Sequence, residues 1–449
     1  MKAYPLFLVF FSLLTFPILG NKNGTIVVPL ERVKNLPSIY FSATSSCGAF
    51  EEDYKQTLVD ILQKDIEESF HFDLTMGQIE IEPMIHTTLG KQPKELKAFQ
   101  SDFVLLVKID RKNFIMKLYE PKFHTTVNVG SCELSGDVEI DRCLMHELFD
   151  ALHEKVFQQP GIASSKILFC KKTADIEKEW ISDIYEINYD GSGLRKLTSS
   201  QNYLICPQMI PKTRKKNAYE YVYVSYEEGI PKIYKAHSLM GNARPFLSLR
   251  GNQLLPSFSP SGDKVAFICD ASGKTDLFFQ QHIPAKGLIG KPIQLFSKNN
   301  ATQASSSFSP CGSKIAFVSD KDGAPKTYIL DLMEAVRFQK TPSVKLLSSH
   351  HKETTCPSWS IDGKKIAFCA MVEGFRQIWV MDLEKKVEAP ITSGAIDKEN
   401  PCWAADSIHL VYNTTGKESQ IYVIDIVNQK PVKITDGEGI AHFPSWEQR

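Results

Sequence analysis

The chain is 449 residues long and 43 % hydrophobic, more than a single core ordinarily organises, so at least two folded domains are expected and a disordered chain is excluded. Lys plus Arg and Asp plus Glu each number 52, so no summed field draws the chain to nucleic acid or to an anionic membrane. Its partners are therefore expected to be recognised by local chemistry, with no nucleic acid among them.

Residues 1–20 read as a secretory signal peptide: Lys2 precedes an apolar run from Leu6 to Phe16, and Pro17 and Gly20 follow. That run is short of the roughly 20 residues that a bilayer-spanning helix needs, so no direct membrane insertion is expected once the signal is removed. Residues 21–160 mix two periods, as a compact α/β domain does. The segment from Asn21 to Leu30 is polar and then β-branched at Thr25, Ile26, Val27 and Val28. It reads either as the domain's first strand or as a segment that pairs with a sheet edge on a partner or on its own domain. Ile39, Tyr40 and Phe41 form a short strand, and Tyr54, Leu58, Ile61, Leu62, Ile66 and Phe70 recur at helical spacing. Phe103 to Ile109 is an apolar run suited to a buried strand, beside an alternating stretch from Phe114 to Tyr119. A second amphipathic helix carries Ile140, Leu144, Leu148, Leu152 and Val156, and the breakers Pro160 and Gly161 mark the domain boundary.

From there to residue 449 helical periodicity gives way to a repeated cassette. One strand recurs as Lys166-Ile-Leu-Phe169, Lys264-Val-Ala-Phe267, Lys314-Ile-Ala-Phe317, Lys365-Ile-Ala-Phe368 and His409-Leu-Val-Tyr412, with a degenerate copy at Tyr221-Val-Tyr-Val224. A preceding strand brings Met209, Phe258, Phe308, Trp359 and Trp403, the last four at intervals of 50, 51 and 44 residues, the span of a four-stranded blade. Third and fourth strands recur six times as well, from Asp183-Ile-Tyr185 and Leu197-Thr198 to Gln420-Ile-Tyr422 and Ile434-Thr435. The first cassette lacks its leading strand while Phe443-Pro-Ser-Trp446 is an orphan copy of it. The expected fold is thus an α/β N-terminal domain plus an all-β six-bladed β-propeller in which the C-terminal strand closes blade one. Gly262, Gly312 and Gly363 stand where the first hairpin of a blade needs positive φ.

The residues that could carry chemistry point away from it. There is no GxSxG nucleophile elbow, and Gly191-Ser-Gly193 lacks the lysine and helix of a phosphate loop. Asp270-Ala-Ser-Gly-Lys-Thr-Asp276 spaces oxygen donors without the bidentate Glu of a calcium loop, and reads as a hairpin. His350 and His351 have no third ligand at metal spacing and read as solvated loop residues. The ten cysteines include no CxxC pair, and Cys170, Cys369, Cys206 and Cys356 fall at repeat positions, which favours packing; Cys132 and Cys143 are the first pair to test for a disulfide. Sequons stand at Asn23, Asn300 and Asn413. The expectation is no enzyme, no metal and no cofactor, with a propeller-containing hydrolase or a secreted ligand-binding protein as the alternative.

What remains is shape. Loops joining the outer strand of one blade to the inner strand of the next converge on one mouth of the channel, and here they mix polar side chains with few large apolar ones. The candidate partner-binding residues are Asn202, Asn252, Gln253, Asn300, Thr302, Gln303, Glu353, Thr354, Lys398, Glu399, Asn400 and His442. A polar, adaptable mouth suits a protein or peptide better than a small apolar ligand.

The cassettes, best kept in Leu255-Pro-Ser-Phe-Ser-Pro-Ser-Gly-Asp-Lys-Val-Ala-Phe267 and again through Phe317 and Phe368, resemble the repeats of the TolB family. The order of signal, α/β domain, six blades and terminal splice strand resembles that family over essentially the whole chain. The resemblance implies a monomeric periplasmic component of the Tol-Pal system that supports envelope integrity and cell division. It implies a Pal-type peptidoglycan-associated lipoprotein bound over the channel mouth, and a TolA-type inner-membrane protein contacted through the N-terminal region. The chain departs from the pattern with an insertion at Pro211 to Tyr219 and with Ala404-Ala-Asp-Ser407, which has lost the turn glycine.

Overall fold

The computed structural model describes residues 36–45, 50–77, 97–172, 181–215, 218–284, 286–338 and 342–448; the expected signal peptide at residues 1–20, Asn23 and the segment Thr25 to Val28 lie outside them. In the first part, strands β1 (Ser38–Ser45), β2 (Asp73–Gly77), β3 (Phe103–Asp110), β4 (Asn113–Glu120) and β5 (Thr125–Glu133) form one sheet in the order β2-β1-β3-β4-β5. β1 runs parallel to β2 and β3, and the rest pair antiparallel. Alternation along β1 decides which core each residue joins. Ile39 and Phe41 pack with Leu58, Leu62 and Ile66 of helix α1 (Glu52–Glu68), whereas Tyr40 faces the other way beside Ala98 of the short helix α2 (Lys97–Gln100). Helix α3 (Val138–Phe157) adds Leu148, Phe149 and Leu152 to the first core. Each such side chain, fully buried, contributes about 1.5–3 kcal/mol.

Ile140, placed by periodicity on the apolar face of α3, is 58 % exposed. It stands in the first turn, which is held by caps: Asp137 accepts from the Glu139 and Ile140 amides, and Asp141 accepts from the Ser135 and Gly136 amides. α3 ends at Gln158 in the left-handed region. The chain then turns under Asp150, whose carboxylate accepts from the Ala163 and Ser164 amides. A Cβ on Gly161 would lie 2.3 Å from Asp150 Oδ1 and 2.9 Å from its Cα, so only glycine fits there.

The second part is six four-stranded antiparallel sheets. The innermost strands of blades two to six are Leu204–Met209, Gln253–Phe258, Gln303–Phe308, Thr354–Trp359 and Lys398–Trp403. Blade one takes its innermost strand, Ile440–Trp446, from the end of the chain, paired from Ile440↔Lys172 to Trp446↔Ile167. Trp446 is buried and its Nε1 donates to Ser165 Oγ at 2.6 Å; the Glu447 amide donates to Lys166 O and its carboxylate accepts from the Lys166 amide. The splice thereby satisfies backbone groups that an open edge would expose.

The repeated proline has a structural reason. Cys206, Leu255, Cys356, Asn400 and Phe443 each precede proline in an innermost strand and hold φ between 50 and 54. Each sits at a bulge where pairing with the second strand slips. Proline cannot donate to the ladder and is tolerated at the unpaired bulge position; the bulge, and not the proline, sets the positive φ before it and bends the strand around the axis. Each such residue costs on the order of 1–3 kcal/mol, offset by packing. Blade four carries Ser305-Ser306 instead and keeps an ordinary φ, while its register still slips. The residue after the proline position then ties successive blades: the Trp359, Trp403 and Trp446 amides donate to Ser307 Oγ, Ser358 Oγ and Cys402 Sγ.

Gly262, Gly312 and Gly363 hold φ of 71, 64 and 74 in the first hairpins, as their turns require. Ser407 occupies the lost glycine's place at φ 58, and its Oγ accepts from the Asp362 amide of the neighbouring blade. All described cysteines are free, Cys132 and Cys143 included; Cys143 Sγ donates within its helix to Glu139 O.

Strand direction gives the propeller two unlike faces. The first part rests on the face made by the first hairpins and the third-to-outer turns, where Tyr189, Ala404 and Ala405 join its core and Phe70 stacks on His409 at 5.6 Å. The outer-to-inner loops gather on the opposite face.

Candidate functional site

That opposite face carries the residues singled out as the channel mouth, and it sorts them into two kinds. Gln253, Gln303 and Thr354 open innermost strands and are all buried. Gln253 Oε1 accepts from the Ile233 amide and its Nε2 donates to Leu249 O; Thr354 Oγ1 accepts from the Thr327 amide at 2.7 Å. Gln303 Nε2 points back to Ala301 O. The Gln253 and Thr354 side chains are pegs that set one blade against the next. Lys398 reaches the same layer, its Nζ donating to Ser393 O, Ile396 O and Gln377 Oε1, and burial lowers its pKa.

The others meet solvent. Asn300 and Thr302 are exposed, and Asn202, Asn252, Glu353, Glu399, Asn400 and His442 are half-buried. Two aspartates shape this rim: Asp270 accepts from the Asn252 amide and Nδ2, and Asp320 accepts from the Thr302 amide at 2.6 Å. Arg376 Nη1 donates to Glu399, Asn400 Nδ2 donates to Asn413 Oδ1, and the Asn202 amide donates to Ser200 Oγ. Asn413 is itself buried, so its sequon is closed in the folded chain. Burial, with the Lys172 charge nearby, pushes His442 down to about 4, so the imidazole at the mouth is neutral at neutral pH.

Three features of the sites were not legible in the sequence. Tyr203 and Tyr226, ring centroids 5.7 Å apart, border a recess with Gln201 and Asn202 on the mouth face. Burial pushes the Tyr203 phenol up to about 12, leaving a neutral hydroxyl. Aromatics among polar loops are the usual anchors of protein interfaces, which is the signal that could have found Tyr203. Tyr226 comes from a second-to-third-strand turn that shares the face. The third is Glu388: His350 Nδ1 and His351 Nε2 lie 2.7 and 3.3 Å from its Oε1, and His351 packs edge-on against Trp379. His351 is thus packed between Glu388 and Trp379, not the solvated residue expected. Asp276 of the hairpin expected at Asp270 to Asp276 accepts from Ser272 Oγ and Gln294 Nε2. Among the described residues no group of three His, Cys, Asp or Glu side chains is set to hold a metal.

The channel is narrow, with a cavity of about 150 Å³ lined by the repeated prolines and by Ser257, Ser307, Ser358 and Ser445. Small-molecule sites are ordinarily 300–1,000 Å³ in volume, so the cavity falls below that range.

The molecule is therefore a six-bladed β-propeller closed by its own terminal strand, with an α/β domain on one face and a polar, aromatic-anchored loop crown on the other. The family description "TolB beta propeller domain" matches residues 153–449. The chain is 36% identical over 404 residues to "Protein TolB homolog" of Protochlamydia amoebophila (strain UWE25), covering 88% of this chain and 86% of that protein. It is 35% identical over 367 residues to the protein of that name from Chlamydia caviae, covering 76% and 84%. The crystal structure of TolB from Acinetobacter baumannii superposes with a TM-score of 0.68 at 19% identity over 92% of this chain and 97% of that one, a likeness of fold. The chain belongs to the TolB family.

Proposed function

We propose that this chain is a periplasmic, non-enzymatic scaffold of the Tol-Pal system that binds a Pal-type peptidoglycan-associated lipoprotein across the channel mouth. In this reading it contacts a TolA-type inner-membrane protein through the segment Thr25 to Val28, and so supports outer-membrane integrity and division. The observation that carries the reading is the Tyr203–Tyr226 recess set in a polar rim, on the face away from the first domain. Rigid aromatics supply contact area at low entropic cost, and the surrounding Asn, Thr and Glu side chains supply adaptable hydrogen bonds. Family membership supports a scaffold over the hydrolase alternative, and the sequence carries no nucleophile elbow.

The test is calorimetric titration of the intact chain with a Pal-type lipoprotein lacking its lipid. A complex of 1:1 stoichiometry is expected, weakened at least about 30-fold by Tyr203→Ala with Tyr226→Ala, the loss of an anchor worth about 2 kcal/mol. Unchanged affinity in that variant, or turnover of a peptide or ester by the wild-type chain, overturns the reading.

A further inference from the structure

The interface between the first domain and the propeller holds a buried set of titratable groups that the binding face does not use. His146 on α3 is 1 % exposed, with Nδ1 2.8 Å from Asp65 Oδ2 of α1 and Nε2 3.5 Å from Asp190 Oδ2 in a turn of blade one. Arg142, one turn earlier on α3, donates from Nη1 to the same Asp190 oxygen at 3.1 Å. Tyr189 of blade one donates its hydroxyl to Asp65 Oδ1 at 2.6 Å. The turn presenting Asp190 is preset, because Ser192 donates to Asp190 Oδ1 from both its amide and its hydroxyl. One imidazole therefore spans the two domains, a carboxylate of each on either side.

Counting charges shows what the arrangement requires. Asp65 and Asp190 bring two negative charges into a low-dielectric space, and Arg142 supplies only one positive charge. The remaining neighbours do not make up the difference: Glu68 is acidic, Tyr189 is a neutral donor, Glu139 lies on Arg142, and Asp406 is already paired with His409 at 2.5 Å. Burial raises the Asp65 carboxyl, while His146 and the Tyr189 hydroxyl oppose that rise; with Asp65 ionised, a doubly protonated His146 balances the set. With Asp65 ionised, a neutral imidazole leaves two buried carboxylates facing one guanidinium across the domain boundary, a strain that separation of the domains relieves by returning Asp65 and Asp190 to water.

We propose that Asp65, His146, Asp190 and Arg142 form a charge latch that docks the first domain on the propeller, closed only while His146 carries its second proton. The imidazole is buried, which opposes its charge, yet Asp190 and Asp65 push it up to about 9, so the latch is closed at neutral pH. The sign follows from that elevation. Docking energy is fully present below the ordinary histidine range near 6.5 and is lost as pH rises through about 9. Nothing in this inference depends on the partner bound at the mouth.

Small-angle X-ray scattering of the intact chain between pH 7 and 10, with circular dichroism to confirm that both domains stay folded, tests the latch. The wild type is expected to expand with a midpoint near pH 9, and His146→Gln to be expanded already at pH 7. The double variant Asp65→Asn, His146→Gln has one carboxylate facing one guanidinium and is expected to be compact at every pH. If His146→Gln fails to fold, the wild-type titration and the double variant still decide. Wild-type dimensions constant to pH 10, or a His146→Gln chain that is compact at pH 7, overturn the proposal.

Discussion

The two faces of the propeller handle polar groups in opposite ways. On the domain face, the side chains of Asp65, His146 and Asp190 are buried and partnered across the boundary, and those of Asp406 and His409 are buried and paired within blade six. On the mouth face, rim residues are organised by a neighbour in their own or the adjacent blade, as Asn252 is by Asp270, Thr302 by Asp320 and Glu399 by Arg376, and keep part of their surface in water. The first arrangement fixes geometry at the risk of a large penalty if one member is removed; the second leaves a stable scaffold whose rim can change without unfolding it.

The comparison breaks most severely where the two faces share a support. Removal of residues 440–449 strips blade one of its inner strand, and the propeller is expected to lose its cooperative thermal transition altogether. Trp446→Ala is the milder form, expected to cost about 3–5 kcal/mol in urea unfolding, since a fully buried indole and its bond to Ser165 are lost. Next comes acid. His442 is neutral in the folded chain, so unfolding takes up a proton that folding refuses, and stability is expected to fall as pH drops from about 6.5 towards 4, by about 2 kcal/mol at pH 5. His442→Gln should flatten that slope, measured as the urea midpoint against pH. The smallest effects separate pegs from rim: Thr354→Ala is expected to cost about 1–3 kcal/mol by orphaning the buried Thr327 amide, while Thr302→Ala stays within about 0.5 kcal/mol. Equal costs at the two threonines would erase the distinction.

Much of the fold was legible because a repeat states its geometry several times over. The aromatic at Phe258, Phe308, Trp359 and Trp403, the Lys-led second strand and the orphan copy at Phe443 to Trp446 each recur for a packing reason that acts within a single blade. The mouth was legible only as a set of loops. Gln253 and Thr354 look like rim residues in sequence, yet their partners Ile233 and Thr327 belong to the preceding blade, and direction of burial is set there. Glu388, 38 residues from His350, was invisible for the same reason, and the Asp65–His146 pair spans 81 residues. Contacts made by closure of the ring, or by docking of one domain on another, leave no local period.

The central claim is that the work of this chain is done on the face opposite its first domain. Amide hydrogen exchange of the intact chain with and without a saturating Pal-type lipoprotein addresses it most directly. The prediction is added protection at Tyr203, Tyr226, Asn252, Thr302, Glu353 and Glu399, with the turns at Asp190 and Asp406 unchanged. Protection confined to those turns, or absent from the loop crown, would contradict it.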